Sequence, residues 1–117
     1  MNVNTEEIQL DRYKSAKALH QIYKCTVILK GSGTIIYDGK KFFTCMDGNY
    51  RMAVAGMGDT LAGILLYELS SSKCNLQACI KAVTYHSYSA DYLLNNSKIK
   101  NYLPSMIPDI YNYLTNI

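Results

Sequence analysis

Two short glycine-containing stretches hold the residues whose types and spacing could bind a ligand or take part in a reaction. In AGMGD, residues 55–59, Gly56 and Gly58 stand just before a single acid, Asp59, and an apolar segment follows. This pattern predicts the N-terminus of a helix, where the first backbone N–H groups lack partners within the helix and the helix dipole favours an anion. Such a helix start suits the binding of a phosphate group.

The second stretch, KGSGT, runs from Lys30 to Thr34 after an apolar segment. It offers unhindered backbone and a lysine at the end of a predicted strand, a place where ligands bind in α/β folds. Neither stretch matches a P-loop or a GxGxxG fingerprint. The residues alone leave a second interpretation open, in which the glycines serve tight turns and Asp59 caps the helix through its side chain.

Strands and helices are predicted around these stretches. Apolar residues at helical spacing behind Asp11, a predicted N-cap, indicate a helix over residues 11–24. The segment 25–30 is β-branched and continuously apolar, which is typical of a strand that is buried on both faces of a parallel sheet. Residues 34–38 predict a further strand, and the Asp-Gly pair after it predicts a hairpin.

Three more helices complete the predicted order. They cover residues 60–71, 75–96 and 107–117, and the last has Pro108 near its start, where a missing N–H group costs little. Strands followed by glycine turns and then helices predict the α/β class. In that class ligands bind at the carboxyl ends of strands and at helix N-termini, where the two glycine stretches lie.

The composition limits the classes of function. A chain of 117 residues is long enough for one domain. Its net charge of +3 comes from scattered residues without a basic stripe, which argues against nucleic-acid binding. The most apolar stretch, residues 61–69, is far shorter than a membrane span of about 20 residues, and the N-terminus lacks a signal-peptide pattern, so we expect a cytoplasmic protein without membrane contact. The four cysteines lack the spacing of a zinc site and are expected to be free, buried thiols.

The order of these segments resembles that of a known family. Read along the chain, VILKGSGTII, GNYRMAVAGMGDTLAGIL and YHSYSAD are similar to the C-terminal half of the ADP- or ATP-dependent NAD(P)H-hydrate dehydratases, which belong to the ribokinase-like superfamily. The helix that contains Arg12 resembles the arginine-containing helix before the LKG strand of that family. The resemblance implies the C-terminal part of a ribokinase-like three-layer α/β/α domain, present as a single partial domain over residues 1–117.

The resemblance also implies a set of site residues. The nucleotide-binding run of the family is matched by Lys30, Gly31, Ser32, Gly33 and Thr34. Gly58 matches the glycine that meets the nucleotide phosphates, and Asp59 matches the aspartate that faces the hydrated nicotinamide substrate. Asp59 is therefore the expected catalytic residue, because phosphoryl transfer needs a group that orients and deprotonates the attacking hydroxyl. Lys30 acts either through its backbone or through its ammonium group.

The activity that the resemblance implies is that of a lyase in metabolite repair. The C6 hydroxyl of hydrated NADH or NADPH is phosphorylated at the expense of ADP or ATP, with Mg²⁺ as a further cofactor, and loss of phosphate restores the dihydropyridine ring. Two other functions stay open: a truncated, non-catalytic nucleotide-binding remnant, and a related ribokinase-like small-molecule kinase. Supply of the N-terminal half by a separate chain and formation of a homo-oligomer are also left open.

Two further residues bear on the site. Arg51 stands where the family usually has glycine, a departure that would crowd the substrate side. His86 lies on an apolar predicted helix, and we expect it to be a hydrogen-bonded structural residue rather than a catalytic one.

Overall fold

The computed structural model of the protein describes residues 11–31, 33–48, 55–96 and 104–116. These residues form helices and a sheet, which confirms the predicted α/β class. In chain order the elements are α1 (Arg12–Tyr23), β1 (Val27–Leu29), β2 (Thr34–Tyr37), β3 (Phe42–Cys45), α2 (Met57–Ser71), α3 (Asn75–Asn96), a 3₁₀ turn (Pro104–Met106) and α4 (Ile107–Thr115). Among the described helices, none combines the length and the apolar character that a membrane span needs.

The chain divides into two compact units, Met1–Met46 and Asp47–Ile117. The first unit holds α1 and the three strands, and the second holds α2, α3 and α4. The single partial domain expected over residues 1–117 stays a prediction.

Helix α1 has the start that the sequence predicted. The carboxylate of Asp11 accepts a hydrogen bond of 3.1 Å from the backbone N–H of Lys14, so Asp11 is the N-cap. The helix ends before Lys24, which has a left-handed φ of +53° and donates its backbone N–H to the carbonyl of His20 at 2.7 Å. One face of the helix packs into the core of the first unit, which contains Ala16, Val27, Ile35 and Tyr37.

The sheet differs from the prediction because its strands are antiparallel. β2 pairs with β1 on one side and with β3 on the other, so that Ile36 lies opposite both Ile28 and Phe43. The parallel arrangement predicted from the apolar segment 25–30 is therefore wrong for the described strands. The physical reason is the short connection, since only residues 30–33 join β1 to β2, whereas a parallel crossover needs about a dozen residues or more.

The predicted hairpin between β2 and β3 is confirmed. The carboxylate of Asp38 accepts hydrogen bonds of 2.8 Å from the backbone N–H groups of Lys40 and Lys41. The bond from Lys41, followed by the bond from Lys40, lowers the pKa of Asp38. Gly39 has a φ of +98°, and a β-carbon there would lie 2.6 Å from Nε2 of His20, so the turn requires glycine.

The helices of the second unit occupy the segments that the sequence predicted. α3 has the predicted bounds, α4 ends at Thr115, and α2 begins at Met57, about one turn earlier than expected. The buried face of α2 includes Leu61 and Ile64, as their spacing indicated, but it also includes Glu68. A charged side chain therefore lies where the apolar pattern gave no sign of one.

The cysteines are free thiols, as predicted, but their burial is not uniform. Cys79 is buried in α3, and this burial raises the pKa of its thiol. Cys25 and Cys74 are exposed, so the prediction of buried thiols is wrong for these two. Both lie in short connections that follow helices, where helical periodicity assigns no buried face.

Candidate functional site

The AGMGD stretch forms the start of α2. Gly56 is the N-cap, with a left-handed φ of +92° that favours glycine. Thr60 closes the first turn, since its backbone N–H and its hydroxyl both donate to the carbonyl of Gly56, at 3.0 and 2.9 Å. The backbone N–H groups of Met57, Gly58 and Asp59 precede this closure and have no acceptor within the helix. The helix start therefore offers the N–H groups and the dipole that attract an anion.

Asp59 lies in the first turn of α2, and its side chain is exposed. The alternative in which Asp59 caps the helix is wrong, because the cap position belongs to Gly56. An acid in the first turn still interacts favourably with the helix dipole. Its exposure leaves the carboxylate open to a ligand.

The KGSGT stretch connects β1 to β2 as a glycine turn. Lys30 and Gly31 are exposed, and Gly33 has a left-handed φ of +70°. The hydroxyl of Thr34, the first residue of β2, donates to the carbonyl of Gly31 at 3.4 Å. Ser32 lies outside the described residues. Both roles expected for Lys30, through its backbone or through its ammonium group, stay predictions.

Arg12 holds this turn, a function that the sequence did not reveal. The Nη1 atom of its guanidinium group donates to the carbonyl of Gly33 at 2.8 Å, and the Nη2 atom donates to the carbonyl of Leu29 at 2.9 Å. A β-carbon on Gly31 would lie 3.1 Å from Nη2, a tight contact, and the φ of Gly31, +153°, is one that residues with a side chain rarely adopt. The sequence placed Arg12 directly after the N-cap of α1, but this position gave no sign of contacts 17 and 21 residues away.

The predicted site residues fall in both units. The KGSGT turn and Arg12 belong to the first unit, whereas Gly58 and Asp59 belong to the second. Arg51 lies outside the described residues. His86 is buried in α3, and its structural rather than catalytic role stays a prediction. In the part of the chain that the structure describes, no group of three His, Cys, Asp or Glu side chains could hold a metal ion.

Asp91 of α3 has a backbone partner that the sequence did not indicate. Its Oδ2 atom accepts the backbone N–H of Gly48 at 2.8 Å, across 43 residues of the chain. Gly48 has a φ of +112°, a conformation that favours glycine. This bond ties the beginning of the second unit to α3.

A polar cluster, buried at Glu68 and Tyr111, joins α2, α3 and α4 of the second unit. Glu68 of α2 is 4% exposed, and its carboxylate accepts a hydrogen bond from the hydroxyl of Tyr111 of α4. The ammonium nitrogen of Lys81 of α3 lies 3.5 Å from the same carboxylate oxygen. Burial, followed by the bond to Glu68, raises the pKa of Tyr111 well above its usual range. The cluster lines a groove of about 450 Å³ between α2 and α4.

Comparisons with known proteins agree on one family. The family model of NAD(P)H-hydrate dehydratase matches residues 1–112. The bifunctional NAD(P)H-hydrate repair enzyme of Vibrio cholerae is 38% identical over 91 residues, which are 78% of this chain and 18% of that relative. The ADP-dependent (S)-NAD(P)H-hydrate dehydratase of Listeria monocytogenes is 37% identical over 68 residues, which are 58% of this chain and 25% of that relative.

Solved structures show the same likeness. The ADP/ATP-dependent NAD(P)H-hydrate dehydratase of Bacillus subtilis, co-crystallized with ATP/Mg²⁺ and soaked with CoA, matches with a TM-score of 0.92 and 26% identity over 99% of this chain and 43% of that protein. A ribokinase-like superfamily protein of Enterococcus faecalis matches with a TM-score of 0.74 and 29% identity over 86% of this chain and 35% of that protein.

The matches cover a much larger share of this chain than of each related protein. This chain spans between 18% and 43% of the length of the proteins just named. On its own side, the family model covers residues 1–112 of 117. The chain therefore belongs to the NAD(P)H-hydrate dehydratase family and has a fold of the ribokinase-like α/β type.

Proposed function

We propose that this chain takes part in the nucleotide-dependent repair of hydrated NADH and NADPH. The observation that carries the proposal is the start of α2, where Asp59 is exposed in the first turn of a helix that begins at Gly56. The name of the Listeria monocytogenes relative supports ADP as the nucleotide, and the ATP/Mg²⁺ in the crystals of the Bacillus subtilis protein supports ATP with Mg²⁺.

The two glycine stretches have separate roles in this proposal. The N–H groups at the start of α2, including that of Gly58, stabilise the nucleotide phosphates and the phosphoryl group in transfer. Asp59 orients the C6 hydroxyl of the hydrated nicotinamide ring and accepts its proton. The KGSGT turn, Lys30 to Thr34, binds the nucleotide. Mg²⁺ bound to the nucleotide would neutralise charge on the phosphates, since the described residues offer no group of three His, Cys, Asp or Glu side chains to hold the ion.

The reaction has two steps. In the first, the C6 oxygen bonds to the terminal phosphorus of ADP or ATP, the bond from that phosphorus to the bridging oxygen breaks, and AMP or ADP leaves. In the second, the C6–O bond breaks as phosphate leaves, and loss of a ring proton from C5 restores the double bond of NADH or NADPH. Phosphate leaves more readily than hydroxide, which explains why a nucleotide is consumed.

A second candidate function is nucleotide binding without catalysis. The observation that favours it is the start of α2, whose first backbone N–H groups have no acceptor within the helix and so suit a phosphate group. Nucleotide binding needs the two glycine stretches, whereas catalysis also needs a substrate held with its reacting atoms about 3–3.5 Å apart. In the catalytic proposal, a separate polypeptide that corresponds to the rest of the family domain supplies the remaining wall of the substrate cleft.

Recovery of NADPH absorbance from hydrated NADPH, with ADP and Mg²⁺, tests the proposal. We expect little or no turnover by the 117-residue chain alone, because loss of substrate orientation raises the barrier by up to roughly 7–11 kcal/mol. Turnover is expected on mixing with a polypeptide that covers the rest of the family domain. Asp59→Asn is expected to lower that turnover by about 100- to 10,000-fold.

Asp109→Asn is the matched control, since Asp109 is an exposed acid in the first turn of α4. Equal activity of the two variants would contradict the role of Asp59. Nucleotide binding without turnover, both alone and after mixing, would favour the second candidate function. Robust turnover by the chain alone that depends on Asp59 would show that no second polypeptide is needed.

A further inference from the structure

We propose that Arg12 is a positioning residue of the nucleotide site, because its guanidinium group holds the backbone carbonyls of Leu29 and Gly33 on the two sides of the KGSGT turn. The inference rests on the proposed binding of a nucleotide by that turn. It adds to the site a side chain from α1, a helix that precedes the glycine stretch and shares no residue with it.

The geometry of the contact gives Arg12 this role. Its two terminal nitrogens bond the carbonyls at the two ends of the turn, Leu29 at 2.9 Å and Gly33 at 2.8 Å. Both nitrogens belong to one rigid, planar group, so the guanidinium fork fixes the separation of the two carbonyl oxygens. A lysine carries all its donors on a single nitrogen and cannot reproduce this spacing.

The direction of these carbonyls matters for an anionic ligand. A carbonyl oxygen repels a phosphate oxygen, whereas backbone N–H groups in a glycine turn attract it. Arg12 engages the oxygens of Leu29 and Gly33, so both are directed to the guanidinium group rather than to a ligand. Its positive charge beside the turn further favours an anion.

The backbone that carries Arg12 is itself fixed on both sides. Asp11 caps α1 through its carboxylate. The hydroxyl of Tyr13 hydrogen-bonds the hydroxyl of Thr44 at 3.2 Å, and the ring of Tyr13 meets the ring of Phe42 edge-on at 5.0 Å. These contacts hold the first turn of α1 against β3, which limits the positions open to the guanidinium group.

Arg12→Lys tests the inference because it keeps the charge and removes the fork. Lys14→Arg is the matched control, the reverse exchange at an exposed position on the same helix. We would titrate the 117-residue chain with ADP in a calorimeter and record ¹H–¹⁵N NMR spectra without ADP. Arg12→Lys is expected to raise the Kd for ADP at least tenfold and to shift the amide signals of Gly31 and Gly33, whereas the control leaves the Kd within twofold.

The outcomes separate this inference from the proposed function. Equal ADP affinity in the wild type and in Arg12→Lys overturns the role of Arg12, and so does loss of fold by circular dichroism, because a role confined to the turn leaves α1 and the sheet intact. A wild-type chain that does not bind ADP contradicts the proposed function. In that case the amide signals still decide on Arg12: unchanged Gly31 and Gly33 signals overturn its control of the turn, and shifted signals support it.

Discussion

Tyr111→Phe is expected to lower the free energy of unfolding of the second unit by about 1.5–3 kcal/mol, the usual contribution of a hydrogen bond to a charged group. The substitution deletes only the hydroxyl that donates to Glu68. It leaves a carboxylate that is 4% exposed without this donor. Lys81, whose side chain is 48% exposed and 3.5 Å away, compensates only in part, because a half-exposed ion pair is screened by water.

A double-mutant cycle isolates the contribution of the pair. Glu68→Leu combined with Tyr111→Phe replaces both partners by apolar side chains, and such exchanges are nearly neutral or stabilising. The double variant should therefore lose less stability than the sum of the losses in the two single variants. We expect this difference, the coupling energy, to be about 0.5–3 kcal/mol. Urea unfolding followed by circular dichroism measures all four free energies.

Tyr113→Phe is the control for this cycle, since Tyr113 lies on the same helix and is exposed. It is expected to change the free energy of unfolding by no more than about 0.5 kcal/mol. An equal loss in Tyr111→Phe and Tyr113→Phe, or strict additivity of the two changes in the cycle, would refute the view that the buried pair stabilises the helices.

Three further expectations concern pH, the hairpin and the nucleotide. Because burial raises the pKa of Tyr111 above the ordinary value of 10.0, the folded chain holds the phenol proton more tightly than the unfolded chain. The stability that this group contributes is complete below pH 10 and is lost as the pH rises above 10. In urea titrations, the free energy of unfolding of Tyr111→Phe should therefore fall less steeply above pH 10 than that of the wild type. Gly39→Ala should lower the free energy of unfolding by about 1–3 kcal/mol, because position 39 has a φ of +98° and a β-carbon there would lie 2.6 Å from a histidine ring. Gly63→Ala should raise it by about 0.4–1 kcal/mol, because a β-carbon there meets nothing within 4 Å. Similar changes in the two variants would contradict the role given to the turn at Gly39. Gly58→Val should weaken ADP binding in calorimetry because a branched side chain obstructs approach to the backbone, and unchanged affinity would refute the site assignment.

Features with a local cause could be predicted from the sequence. The cap at Asp11 and the turn at Gly39 depend on residues within a few positions of each other. The antiparallel sheet also had a local signal, because only residues 30–33 separate the first two strands, but the apolar pattern of segment 25–30 favoured the wrong arrangement. Connection length is the stronger constraint here, since a short connection excludes a parallel crossover and an apolar strand does not require one.

Features that depend on distant residues could not be predicted in this way. Glu68 lies on the buried face of α2, and its burial is tolerated because the hydroxyl of Tyr111, 43 residues later in the chain, donates to its carboxylate. Arg12 holds the KGSGT turn across 17 and 21 residues. Hydrophobic periodicity identifies which face of a helix is buried, but it does not identify the partner that satisfies a polar group there.

The glycines and the acid of the two stretches differ in how far the fold alone explains them. Glycine is favoured at positions 31 and 56 by the backbone itself, since their φ angles are +153° and +92°, and a β-carbon at position 31 would also lie close to the guanidinium group of Arg12, at 3.1 Å. The fold therefore explains both glycines without a ligand, and their presence alone does not argue for a nucleotide. Asp59 differs, because its side chain is exposed and the cap position of α2 is filled by another residue. An acid in the first turn also stabilises a helix through the dipole, as Asp109 does in α4, so the position of Asp59 alone does not establish a reaction; in the proposed function Asp59, rather than the glycines, is the residue on which catalysis depends, and the comparison of Asp59→Asn with Asp109→Asn decides between the two roles.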